Sequence, residues 1–304
     1  MAVIKKEDRL VKENFMMIIS GQPGLGKTTL ALRSPKPFLL DTDNGIDRVN
    51  AKHRCDASLV SSYEELLQDM TSDEFNNAET IVIDTGGTLI QLMKEWAKPQ
   101  ALTKGGSVNE LKIYGIIKKE FDRLVYQIKN ILKKNLIVIF HTTETMKGDT
   151  ILTRLVCEGS AKDIVWTPAD LGCNMFKMGK RRMLGFTPSD EYFAKGSFGI
   201  NGLIEVPELE ESTENDFLTR LFAQARNNLN AQYDEFFENK KTYNDAMEKG
   251  KSIIAKIKDE KTKAKALEDL KKIKHALTSR VELVSLFNTK VGELNAKDNS
   301  EPIE

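Results

Sequence analysis

Phe15-Met16-Met17-Ile18-Ile19-Ser20-Gly21-Gln22-Pro23-Gly24-Leu25-Gly26-Lys27-Thr28-Thr29 is the stretch on which the fold turns. Its second half fits G-x-x-x-x-G-K-[ST]. The apolar run before it and the helix-compatible residues Thr28 to Arg33 after it give the order strand, loop, helix. In such a loop the glycines let backbone amides close on a polyphosphate without Cβ clashes, and the helix beginning near Lys27 points its positive dipole end at the same anion. Lys27 then reaches the β- and γ-oxygens, and the Thr28 hydroxyl ligates Mg²⁺. The stretch therefore predicts an ATP–Mg²⁺ site built from Gly21, Gln22, Pro23, Gly24, Leu25, Gly26, Lys27, Thr28 and Thr29. An ordinary glycine-rich turn is the alternative.

Outward from the loop, further strands are expected at Pro37 to Asp41, at Thr80 to Asp84 and at Leu136 to Phe140, the last ending at His141, with a short apolar run near Ser58 to Val60. Helices are expected at Tyr63 to Met70, introduced by Ser61-Ser62 and Glu64-Glu65, at Thr88 to Ala97, and over Leu111 to Leu132. Pro99 to Asn109 reads as a flexible loop. Continuous apolar strands alternating with helices predict a parallel sheet covered on both faces, with ligands at the carboxyl ends of the strands. Beyond Gly148, Thr150 to Val156 looks like a strand, and Asn174 to Met178 with Arg182 to Phe186 reads as a β-hairpin turning at Gly179-Lys180.

The acidic stretch Glu205 to Glu214 marks the end of the core, which gives a domain at 1–207 and a helical region at 208–304. Leu267, Leu270, Ile273 or Lys274, Leu277, Val281 and Val284 keep an a/d-like spacing too short for a long coiled coil, and a helical hairpin packing on the core or a partner suffices. The last residues, from Asn295, read as disordered.

Composition bounds the alternatives. A chain of 304 residues that is 40% hydrophobic fills a sizeable core. Cys55, Cys157 and Cys173 form no C-x-x-C pair, so a disulfide framework or zinc site is not expected and a reducing, cytoplasmic setting is. No signal peptide or membrane-spanning run stands out. With 45 basic and 45 acidic side chains, bulk charge makes no case for nucleic acid, so any contact with DNA has to come from local patches.

Three polar positions accompany the loop. Asp84 ends an apolar strand where a Walker B carboxylate holds the Mg²⁺ shell, although Asp-Thr-Gly also makes a good turn. Asp41, Asp43 and Asp47 follow the second strand. Either one of them positions the attacking water, Asp43 being preferred, or Asp41 or Asp43 caps backbone amides. His141, at a strand tip, senses the γ-phosphate or serves as a turn residue. His53 and His275 have no such setting and read as surface or packing residues.

With these residues in order, the chain resembles RecA-like P-loop ATPases, and within them the phage-encoded group associated with single-strand annealing and recombination. The resemblance spans roughly residues 11 to 206, including Ala169-Asp170 and the basic hairpin Gly179-Lys180-Arg181-Arg182. It implies an α/β RecA-like P-loop NTPase core with a mostly parallel sheet flanked by helices, followed by a C-terminal helical region. In the family a strand ending F-I-D-x-E carries the glutamate that activates water. Phe38-Leu39-Leu40-Asp41-Thr42-Asp43 is the matching stretch, which gives that role to Asp43, one methylene shorter. The catalytic set implied is Asp43, Lys27 and His141, with Thr28 and Asp84 on the metal. Action between subunits of a homo-oligomer is also implied, with Lys180, Arg181, Arg182 or Lys195 reaching a neighbour's phosphate, and the loop 99–109 facing single-stranded DNA; a solvated basic turn that protects a sheet edge is the alternative for the hairpin.

In the tail, Lys249 to Lys274 is lysine-rich, and Tyr233, Phe236, Phe237 and Tyr243 either stack on bases or fill a helix core. The expected function is an ATPase of phage DNA recombination or replication acting on single-stranded DNA, with a single-strand-binding protein as a possible companion. The alternative is a nucleotide-dependent switch that docks a protein through the helical tail. A small-molecule kinase is a third option, disfavoured because no arginine-rich lid is visible.

Overall fold

A computed structural model describes residues 11–148, 150–157, 161–208 and 216–298. They divide into two compact units, residues 1–228 and 229–304.

The first unit is built on one sheet. Strand β1 (Met16–Gly21) leads through the glycine loop into the short helix α1 (Lys27–Ala31) and then into β2 (Pro37–Asp41). After β3 (Ala57–Leu59) come helices α2 (Tyr63–Asp69) and α3 (Asp73–Asn77), strand β4 (Thr80–Asp84), and helices α4 (Gly86–Ala97) and α5 (Glu110–Tyr126). The chain continues with β5 (Asn135–Lys147), β6 (Thr150–Leu155), α6 (Ala161–Trp166), β7 (Leu171–Met178), β8 (Arg181–Gly185) and β9 (Leu203–Val206). The order across the sheet is β3-β2-β4-β5-β1-β7-β8-β9, with β6 paired to the far half of β5. From β3 to β7 every pairing is parallel, and β7-β8-β9 closes the edge antiparallel. The glycine-loop strand β1 thus lies one strand away from β4, the strand that ends in Asp84. The mostly parallel sheet flanked by helices is what the resemblance to RecA-like P-loop ATPases implies.

The reason for the parallel sheet is visible strand by strand. Ile18, Ile19, Leu39, Leu40, Ile81, Val82, Ile83 and residues 136–140 are buried on both faces. Each such side chain contributes about 1.5–3 kcal/mol on removal from water. One face packs under α2, α4 and α5, where Leu66, Leu89, Met93, Ile117 and Phe121 converge on Ile81 and Val138. The other face receives Leu30, Phe186 and the first turns of helix α7 (Phe217–Ala255), whose Leu218, Phe222 and Ala225 pack on Phe15 and Ile139. Those contacts are why the units divide at 228/229, whereas the acidic stretch had put the boundary at 207/208.

Helix starts follow the predicted chemistry. Ser62 caps α2 by accepting from Glu65 N, while the Glu65 carboxylate accepts from Ser61 N at 2.9 Å. Two expectations are revised. β5 does not stop at His141. It runs on to Lys147 because Thr142–Lys147 pair antiparallel with β6, which supplies backbone partners to a polar segment that burial alone would not hold. The segment 99–109 is not structureless either: a 3₁₀ turn, Lys98–Ala101, is followed by a bridge between Leu102 and Val108, with Thr103 and Ser107 hydroxyls 2.8 Å apart. Helix α6 and strand β9 carried no legible signal.

The second unit contains the rest of α7, then α8 (Glu260–Leu270) and α9 (Ser279–Asp298). The heptad-like spacing of 267–284 is broken, since α8 ends at Leu270 and Leu277 adopts a left-handed φ of 52° before α9 begins. The tail from Asn295 is helical as far as Asp298, and 299–304 lie outside the described residues. Among the described residues no helix is long and apolar enough to cross a membrane.

Candidate active site

The loop after β1 adopts its shape because Gly24 and Gly26 sit at φ values of 78° and 89°, a region that side chains with a Cβ rarely enter. That geometry brings Lys27 back across the loop. Its ammonium donates to the Gln22 carbonyl at 2.9 Å and to His141 Nδ1 at 3.2 Å. Lys27 is 4% exposed, and burial lowers its pKa to about 8, with Asp84 and then Asp43 pulling the other way. Next to it Thr28 Oγ1 donates to Asp84 Oδ2 at 2.5 Å.

Asp84 is held at the tip of β4, directly across from Asp41 in the β2–β4 register. Thr42 accepts from Thr85 N at 2.8 Å and donates to Thr85 O at 3.0 Å, which clips the end of β2 to the end of β4. Burial pushes the Asp84 carboxyl up to about 6; the Thr28 hydroxyl opposes that rise and the nearby Asp43 charge adds to it.

The acids after β2 sit in two different settings. Asp41 is the cap: its carboxylate accepts from Gly45 N at 3.0 Å and Ile46 N at 2.8 Å. Asp43 is left facing the cleft, with Oδ2 3.8 Å from His141 Nε2 and Oδ1 3.7 Å from Arg48 Nη2. Both separations are longer than hydrogen bonds. Burial raises the Asp43 carboxyl, the Arg48 guanidinium works against that, and Asp41 reinforces it. The His141 imidazole is pushed down by burial and then by the Lys27 charge, so it is neutral at pH 7, with Nδ1 accepting from Lys27 and Nε2–H turned towards Asp43.

Pro23, Gly24, Gly26, Lys27, Thr28, Thr29, Asp43, Asp84 and His141 line one cleft of about 250 Å³, together with Gly45, Arg48 and Val49. Gly21, Gln22 and Leu25 are backbone neighbours of that wall. Past Gly26 and Thr29 a second hollow, of about 710 Å³, opens between α1 and residues including Asn50, His53 and Arg182. Two contacts gave no sequence signal. Arg48 reaches Asp43 only because a 3₁₀ turn, Ile46–Arg48, folds it back, and Gln22 Nε2 donates to the Glu144 carboxylate at 2.5 Å across 122 positions.

Other expected residues are elsewhere. Asp170 sits under β1, accepting from Met16 N and pairing with Lys12 and Lys129, each at 2.8 Å. Lys195 donates to the Ala169 carbonyl and Arg181 pairs with Glu205 at 3.3 Å, whereas Lys180 heads an exposed turn.

The donor set suits Mg²⁺. That ion dehydrates reluctantly and is usually held by one carboxylate or hydroxyl plus substrate phosphates, and Thr28 Oγ1 and Asp84 supply that pair. Among the described residues no cluster of three acids, histidines or cysteines forms an all-protein metal cage.

The sequence profile of a family described as "AAA domain" matches residues 13–198. Among solved structures, the flagellar accessory protein FlaH from Methanocaldococcus jannaschii is similar at 15% identity, covering 56% of this chain and 76% of that one with a TM-score of 0.31. A KaiC-like protein from Pyrococcus horikoshii OT3 is similar at 14% identity, covering 64% and 89%, with a TM-score of 0.35. No curated protein matches the sequence.

Proposed function

Since the chain belongs to the AAA domain family of P-loop ATPases, matched across residues 13–198, we propose that it is an Mg²⁺-dependent ATPase of phage DNA recombination or replication that acts on single-stranded DNA. One observation carries the catalytic part: Lys27, Thr28, Asp84, Asp43 and His141, from four separate segments, line a single cleft. In this reading the amides of Gly21 to Thr29 bind the phosphates, and the nucleoside lies past Thr29 in the wider hollow. Lys27 gives up its bond to Gln22 O to reach the β- and γ-oxygens. Thr28 and Asp84 hold Mg²⁺, which when bound neutralises charge on those oxygens. Asp43 orients the attacking water and accepts its proton, its position fixed by Arg48 on one side and His141 on the other. His141, uncharged and already bonded to Lys27, reports the γ-phosphate by hydrogen bonding.

The DNA part rests on the order of motifs shared with the phage group and on two exposed features. One is the turn 102–108 beyond α4, with Lys104 at its tip, and the other is the basic turn at Lys180. Turnover of ATP with and without oligothymidylate, measured alongside particle size in each nucleotide state, tests it. Stimulation by DNA, loss of turnover in Lys27→Ala and growth in size with ATP are expected. Turnover indifferent to DNA, with no retention of DNA at low salt, removes the DNA part while leaving the ATPase standing.

A further inference from the structure

The helical unit has a groove that its described residues do not fill. About 530 Å³ in volume, it runs between α8 and α9, floored by Leu270, Ile273, Leu283 and Phe287 and edged by Leu267 and Val284. Leu283 is 2% exposed, while Leu267 and Val284 are 46% and 54% exposed, so the floor is packed and the lips are open. The charged groups on its walls have one sign. Lys271 and Arg280 line it together with His275, and no carboxylate does among the described residues. The connecting segment 271–280 carries Lys271, Lys272, Lys274 and Arg280 and no acid. Two nearby acids are engaged: Glu282 accepts from Thr278 at 2.5 Å and Tyr243 at 2.7 Å, and Asp269 pairs with Lys272 at 3.5 Å. The neighbouring hollow of about 880 Å³ differs, since Glu238, Asp245 and Glu248 alternate there with Lys241 and Lys249.

We propose that the α8–α9 groove is a docking site for an acidic amphipathic helix of a protein partner, whose apolar side chains enter between Leu267 and Val284 while its carboxylates meet Lys271 and Arg280. Five of the lining side chains, Leu267, Leu270, Ile273, Leu283 and Val284, are aliphatic and offer shape and burial to leucine-like anchors at helical spacing, against two rings, Phe287 and His275, which favours a peptide over a nucleic acid. The flanking cations add steering and orientation to the affinity supplied by burial. Docking does not depend on the nucleotide-site reading.

The test is selection, on the full-length chain, from a displayed library of helix-forming peptides whose apolar positions are fixed at i, i+3, i+4 and i+7 and whose polar positions are free in charge. Recovered peptides should be acidic. They should bind Val284→Asp at least about tenfold more weakly and lose a similar factor on Lys271→Glu/Arg280→Glu. Lys27→Ala should leave them unaffected. Unchanged helicity by circular dichroism guards against a folding defect, and Val284 is exposed enough to take the charge. Recovery of neutral or basic peptides, or of binders indifferent to Val284→Asp, overturns the proposal. So does sedimentation showing a wild-type dimer that Val284→Asp dissolves, which assigns the groove to a second copy. Loss of oligothymidylate retention in Val284→Asp with no peptide recovered assigns it to nucleic acid.

Discussion

Around Lys27 the protein buries charge, with Lys27, Asp41 and Asp84 at 4%, 1% and 5% exposure amid strands that are apolar on both faces. Around Leu283 it leaves apolar groups in water, with Leu277, Val281 and Val284 at 65%, 73% and 54%. Both arrangements cost stability in isolation, and each points to what it lacks. Desolvated charges, with the protonation of Lys27 and Asp84 shifted, mark a place where a strongly charged ligand repays the burial. Open aliphatic side chains beside a small core mark a place where another apolar surface does. The sheet core tolerates its cost because its hydrophobic clusters are large, whereas the buried cluster of the helical unit amounts to Met247, Ile254, Ile257, Ala266 and Leu283.

The contrast breaks most easily at Lys27. Lys27→Ala should reduce ATP turnover by about a thousandfold and weaken ATP binding in calorimetry, because it removes the one ammonium that lines the cleft among the described residues. Hydrogen exchange in residues 229–298 should not change. Asp43→Asn comes next: turnover should fall about a hundredfold with ATP affinity within about twofold, the pattern of a group needed only in the transition state. Equal losses in both quantities would show that Asp43 binds rather than activates.

In the helical unit Leu283→Ala should cost about 2–4 kcal/mol, read as lost exchange protection in α8 and α9, because Leu283 fills the space where a Cβ on Gly250 would stand. Val284→Ala, at the lip, should change stability by less than about 0.5 kcal/mol.

A subtler effect sharpens the picture of the sheet core. The Asp84 carboxyl titrates near 6 in the folded chain, above its value of about 4 when unfolded. Folding therefore binds that proton more tightly, and the stability this gives is complete below about pH 4 and lost as pH rises through about 6. Asp84→Asn, which does not titrate, should be more stable than wild type at pH 8 by up to about 3 kcal/mol, with the gap shrinking towards pH 5, in denaturant melts without nucleotide. The smallest effect concerns ATP affinity. The Lys27 ammonium is charged below about 8 and the Asp84 carboxyl ionised above about 6, so binding should be level between those values and weaken above about 8, and Asp84→Asn should move that upper turning point down by removing the charge that most supports the ammonium.

What the sequence revealed and what it hid follow from physics. β1, β2, β4 and the first half of β5 were legible because each is an unbroken apolar run, a pattern that only a strand covered on both faces produces. The glycine loop was legible because positive φ restricts residue choice. The far half of β5 is polar and depends on pairing with β6; the strand at Thr150 to Val156 could be read in the sequence, but that pairing leaves no period in the β5 segment it holds. Arg48 and Glu144 belong to the site through folding of the chain rather than spacing, and neither stands in a recognisable pattern. Asp41 and Asp43 could not be told apart by type, since both are aspartates two positions apart. Only the backbone turn at Gly45 shows which one caps and which one faces the cleft.

The bond from the Lys27 ammonium to the Gln22 carbonyl has a kinetic consequence. It pins the bend across its own span, so the amides already converge before any triphosphate arrives, and the incoming anion exchanges with a carbonyl instead of having to organise a coil. Stopped-flow association should accordingly rise in proportion to ATP concentration without levelling off, while Lys27→Met, which unpins the bend, should show a plateau set by the time the backbone takes to curl.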